Sequence, residues 1–150
     1  MSFLPTLFSA LASRRFARRI LPLFTVVALC LSAVAASAAT LTVTSTADSG
    51  TGTLRAAMLS AVSGDTIQIS ATGTITLASA LPIMGQSVTI VGPGANALTI
   101  SGAGQYGLFA VNGPTVSISG LTMANGRAPG GAMGYGGAIL IYGGTVTVNN

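Results

Sequence analysis

From Thr40 onward the chain alternates apolar and polar residues. Leu41-Thr42-Val43-Thr44 places every second side chain on one face, the period of a half-buried strand. A turn cluster follows at Ala47–Gly52, and then the period changes. Leu54, Ala57, Met58, Ala61 and Val62 recur at i, i+3, i+4, i+7 and i+8, which makes one apolar stripe on a short helix. The spacing predicts a helix over Thr53–Ser63, with Thr51 or Thr53 capping its start and Gly64 ending it. Asp48 precedes this helix, Arg55 lies in its first turn and Asp65 follows it. These charges are expected to tie the helix to the neighbouring turns.

After Gly64 the period-2 pattern takes over. Strand-like segments run over Thr66–Ser70, Thr74–Ala78, Ser87–Val91, Ala97–Ser101, Gly107–Val111, Thr115–Ser119, Gly137–Ile141 and Thr145–Asn149. Gly, Pro and Asn separate them, as at Gly92-Pro93-Gly94 and Asn112-Gly113-Pro114. The segments repeat one another. Val88-Thr89-Ile90-Val91-Gly92, Val116-Ser117-Ile118-Ser119-Gly120 and Val146-Thr147-Val148-Asn149-Asn150 are variants of one unit, 28 and 30 residues apart. Self-similarity at about 20–50 residues marks a solenoid or a propeller, and a propeller blade needs about 40–45. A shorter unit with about three short strands fits a parallel β-helix. Each strand then stacks on its equivalent in the next rung, about 4.8 Å away. Val88/Ile90, Val116/Ile118 and Val146/Val148 point inward, Thr and Ser point outward, and Gly turns the corners at φ > 0. Asn149 and Asn150 fall where a corner would follow, so Asn side chains are expected to bond from rung to rung. The helix covers the first rung and protects its edge.

The segment before this solenoid has another character. Arg14, Arg15, Arg18 and Arg19 precede an apolar run, Ile20–Val34, which ends in Ala36-Ser37-Ala38. A basic region, an apolar region and an A-x-A site are the three parts of a secretory signal peptide. The expected organisation is a leader over 1–38, an N-terminal cap over 39–64, and β-helix rungs over 65–150 that continue in a longer protein. Retained, Ile20–Ala36 is long enough to anchor in a bilayer, and the A-x-A site argues for cleavage instead. Arg14-Arg15 partly matches a twin-arginine signal; the general secretory route is expected. Cys30 follows Leu29, where a lipid-attachment motif needs a small residue, so it reads as part of the apolar run.

The leader changes the meaning of the composition. The chain carries a net charge of +4, but the part after Ala38 has only Asp48, Arg55, Asp65 and Arg127 and is neutral. No basic patch is left to bind nucleic acid or an anionic membrane. That part also has no His, Cys, Lys or Glu, so it relies on burial and strand pairing without disulfides.

Three stretches carry a family resemblance. Thr42-Val43-Thr44-Ser45-Thr46-Ala47-Asp48-Ser49-Gly50, Gly52-Thr53-Leu54-Arg55-Ala56-Ala57-Met58 and Gly64-Asp65-Thr66-Ile67 together resemble the N-terminal capping segment of bacterial right-handed parallel β-helix surface proteins. Gly120-Leu121-Thr122-Met123-Ala124-Asn125-Gly126, followed by Gly136-Gly137-Ala138-Ile139, is similar to the repeat of polymorphic outer-membrane proteins and autotransporter passengers. In that family the tetrapeptide is paired with Phe-x-x-Asn; here Thr122 stands three before Asn125. The resemblance implies an all-β fold, a right-handed parallel β-helix with a short N-terminal capping helix. It also implies a place on the bacterial outer membrane or outside the cell.

The chemistry is read by elimination. A serine nucleophile needs a His or Lys base, and the exported part has neither. No His, Cys or acidic cluster suits zinc or calcium. Gly102-Ala103-Gly104 and Gly92-x-Gly94 do not open a helix, so they read as corners rather than phosphate loops. Asp48 and Asp65 flank the helix, away from the long face where two glycosidase carboxylates would lie. Tyr106, Phe109, Tyr135 and Tyr142 are expected in core or corner packing, with a sugar-stacking strip as the alternative. No catalytic, cofactor-binding or metal-binding residue and no cofactor is therefore expected. The function expected is that of an exported, non-enzymatic surface or secreted protein, an adhesin-like or passenger-like stalk and display surface. The alternative is the front of a polysaccharide-acting β-helix enzyme whose catalytic residues lie beyond residue 150. The expected partners are host or cell-surface glycans or proteins and the secretion machinery, with the membrane met only through the leader. Edge-to-edge self-association is also expected, because Thr145–Asn150 presents an uncharged strand edge with Val146 and Val148.

Overall fold

Strand after strand pairs in parallel with its equivalent one turn earlier, and the chain builds a parallel β-solenoid of about four turns. The computed structural model describes residues 37–128 and 137–149. The leader apart from Ser37 and Ala38, the residues Tyr135 and Gly136, and the terminal Asn150 lie outside the described residues. The elements are β1 (Thr40–Val43), α1 (Leu54–Ser60), β2 (Thr66–Ile69), β3 (Gly73–Thr76), β4 (Val88–Val91), β5 (Leu98–Ser101), β6 (Phe109–Ser119), β7 (Thr122–Ala124) and β8 (Ile139–Asn149). One sheet orders β1-β2-β4-β6-β8 and a second β3-β5-β7. A third face is made by Met84, Phe109–Val111 and Ile139–Ile141, joined by the Met84–Val111 bridge and the first half of the β6–β8 pairing.

Because every strand pairing is parallel, and in register along each face, like residues stack into columns. Leu41, Ile67, Ile90, Ile118 and Val148 form one inward column. Val88, Val116 and Val146 form a second, and Ile75, Ile100 and Met123 line the opposite sheet. Ile67, Ile90, Ile100 and Ile118 are fully buried. The period-2 alternation therefore becomes one continuous apolar core along the solenoid.

β6 and β8 each span two of the segments expected separately. Their backbones turn a corner at Asn112–Pro114 and Gly143–Gly144 without leaving the strand, and the register shifts there. The sequence reading assigned no strand to β7; its three residues pair with Thr99–Ser101. Glycine serves the corners in two ways. Gly120 turns at φ +66, as expected of a corner. Gly92 does not have positive φ: a Cβ there would collide with the Gly120 carbonyl oxygen of the next turn. The residue is small because two backbones stack closely, not because the turn is left-handed.

α1 is shorter than expected. Thr53 caps it, its Oγ1 accepting from the Ala56 N–H at 3.3 Å. The helix ends at Ala61, whose backbone leaves the helical region at ψ 140, three residues before Gly64. Val62 is thus exposed rather than on the apolar stripe, while Leu54, Ala57 and Met58 are buried in the same core cluster as Val43. The helix plugs the apolar interior at the first turn.

Candidate functional site

Arg55 projects from the first turn of α1 and reaches two turns at once. Its Nη2 pairs with Asp48 Oδ1 at 2.6 Å. Its guanidinium also donates to the carbonyls of Asp48, Ser79 and Ala80, the last at 2.6 Å through Nη1. A planar fork with five donors suits this task, and an ammonium would not. The expected tie between helix and turns is present, with the segment after β3 added to it.

Asp65 is 2% exposed. It lies one residue before the Thr66–Thr89 pair, so the inward column Val88–Val116–Val146 begins on its side chain. Ala39 stands opposite it, one residue before the Thr40–Thr66 pair. Asp65 Oδ1 accepts from the Ala39 N–H at 2.8 Å and Oδ2 from the Val62 N–H at 2.9 Å. These two donors, Val62 first, hold the carboxyl below its ordinary value, although burial acts in the opposite direction. Both acidic side chains are thereby engaged by the fold, and the structure does not bring them together as a pair facing a common space.

The aromatic residues are divided. Phe109 is buried in the core and Tyr106 packs against it half-buried, whereas Tyr142 is exposed. The Tyr135 reading falls outside the described residues. Gly102-Ala103-Gly104 is a corner, with Ala103 at φ 54 and Gly104 at φ 71. Asn125, which the sequence reading did not single out, sits at φ 50 and donates from Nδ2 to Ser101 Oγ at 3.3 Å, a bond between neighbouring turns; the stacking expected at Asn149 and Asn150 falls partly outside the described residues. Asn149 is a strand residue paired with Ser119.

The outward positions of the described strands are hydroxyl-rich and uncharged. Thr40, Thr66, Thr89, Ser117 and Thr147 stack in one column across all five strands of the larger sheet. Thr74, Thr99 and Thr122 form a similar column on the smaller sheet. No strand residue carries a charge. An open groove of about 600 Å³ lies beside α1, lined by Leu41, Thr42, Arg55, Leu59 and Ser60 among others. Among the described residues, no helix is long and apolar enough to cross a membrane, and no three His, Cys, Asp or Glu side chains gather as metal ligands.

Sequence reasoning missed the contact between the Ala39 N–H and Asp65. The signal was present: aligning Thr40-Leu41-Thr42-Val43 with Thr66-Ile67-Gln68-Ile69 sets Ala39 against Asp65. No protein-family model, curated protein or solved structure matches the chain.

Proposed function

We propose that the chain is exported and serves as a β-solenoid stalk and display surface at the bacterial cell surface, with adhesin-like or passenger-like use and no turnover of its own. The observation that carries this reading is the absence of charge from every described strand, together with the structural engagement of both carboxylates. A glycoside hydrolase needs two free, facing carboxylates. A display scaffold needs rigid rungs and a neutral, hydrated face, and the stacked Thr and Ser columns supply one.

The leader pattern over 1–38 supports export through the secretion machinery. Neutral glycans or proteins on cell surfaces are the partners that suit an uncharged hydroxyl face. The test is fractionation of a bacterium expressing the whole chain, with N-terminal sequencing and assays on polysaccharides. The expected product starts near Ala39, lies outside the cytoplasm and turns over no polysaccharide. A product starting at Met1 or Ser2 in the membrane fraction would show an anchor instead. Appreciable turnover that Asp65→Asn abolishes would overturn the non-enzymatic reading.

A further inference from the structure

Ala39 is held on both sides of its backbone. Its carbonyl accepts from the Thr66 N–H at 2.8 Å, extending the β1–β2 ladder by one residue. Its N–H donates to Asp65 Oδ1 at 2.8 Å. Ser37 and Ala38, just before it, are exposed. The A-x-A site Ala36-Ser37-Ala38 therefore ends where the solenoid begins to grip the chain.

We propose that removal of the leader after Ala38 converts the Ala39 nitrogen into an ammonium that pairs with the Asp65 carboxylate, so that processing itself tightens the N-terminal cap. This rests on the export reading above. The chemistry is hydrolysis by a leader peptidase. Water breaks the Ala38–Ala39 amide, its hydroxyl goes to the Ala38 carbonyl carbon and its hydrogen to the Ala39 nitrogen. At neutral pH the amine takes a further proton from the new Ala38 carboxylic acid. A neutral amide donor to the carboxylate becomes a cation at the same place, which adds the attraction between opposite charges to the hydrogen bond.

The surroundings favour this partner. Asp65 is nearly buried, and the groups that keep it ionised against that burial are the backbone N–H donors of Val62 and Ala39. Asp48 and Arg55 are paired with each other, and Arg127 lies in the exposed turn after β7. Among the described residues no other cation pairs with this carboxylate. Ala39 itself is exposed, so the remaining ammonium hydrogens stay in water and the cost of desolvation is small.

The sequence permits a single-site test. The chain contains no lysine, so its α-amino group is its only primary amine. The exported product of the whole chain is sequenced from its N-terminus, and its acylation by acetic anhydride is followed against pH. The expected product starts at Ala39. Its amine titrates above the ordinary range of about 7.7–8.0, and near pH 7 it acylates at least about threefold more slowly than in Asp65→Asn. The paired amine has its folded pKa raised. Its stabilisation is complete below the unfolded value and is lost as pH rises through the folded one. Melting temperature should accordingly fall across that alkaline window, and acetylation should lower it at neutral pH, which keeps the test independent of how Asp65→Asn folds. A product that starts elsewhere refutes the cleavage reading. A product that starts at Ala39 with an ordinary amine, and a melting temperature indifferent to acetylation, refutes the pairing and leaves export standing.

Discussion

Ile90→Ala removes side-chain atoms from the middle of the longest inward column. Ile90 is fully buried between Ile67 and Ile118, which are fully buried as well. Three carbons are lost, and at about 0.8 kcal/mol per buried methylene the transfer contribution is about 2.4 kcal/mol. A residue on a hydrogen-bonded strand between two others cannot collapse into the gap, so the residual cavity raises the total toward about 4 kcal/mol. Val148 occupies the same column at the other extreme, 42% exposed. Val148→Ala loses two carbons that water already reaches, and should cost less than about 1 kcal/mol. Thr89→Ala, the outward neighbour of Ile90, should be within about 0.5 kcal/mol of the parent. Urea unfolding of the whole chain followed by circular dichroism measures all three. With a slope of about 2 kcal/mol per M, Ile90→Ala should lower the midpoint by about 1.2–2 M. Solenoids lose cooperativity more readily than compact domains, so the slope must be compared between variants before midpoints are converted. If Ile90→Ala costs under about 1 kcal/mol, or no more than Val148→Ala, the column is not the continuous core described here.

Three further outcomes are expected. Gly92→Ala should destabilise by about 3 kcal/mol or more, read in the same urea titration, because its Cβ meets the Gly120 carbonyl and separates the turns joined by the Gly92 N–H to Ser119 and Gly94 N–H to Gly120 bonds. Arg55→Ala should cost about 2 kcal/mol through its ion pair and carbonyl bonds, and Arg55→Lys should recover less than half, since a single ammonium cannot span both turns. Asp65 has a lowered folded pKa, so its contribution is present above its ordinary value of 3.8 and is lost as pH falls through the folded one. Thermal melts should show that acid loss in the parent and a flatter profile in Asp65→Asn.

The sequence by itself determined the inward and outward positions. Alternation with period 2 and a unit recurring at 28 and 30 residues admit few structures other than stacked rungs, because in-register stacking brings Val88, Val116 and Val146 into one inward column. It also identified a short helix that Thr53 can cap and charges that tie this helix to the neighbouring turns, since both are local in sequence. Other features were decided by the tertiary structure. Where α1 stops depends on the turn that brings the Val62 N–H to Asp65, not on the apolar stripe, which runs on to Val62. Gly92 must be glycine because of a backbone 28 positions away, a contact its own neighbours in sequence do not reveal. β7 has too few residues to show a period, and it is a strand only because Thr99–Ser101 lies beside it. The pairing of Ala39 with Asp65 spans 26 residues, one full turn. Local pattern fixes which face a side chain takes, whereas the exact register between turns fixes which polar groups meet across them.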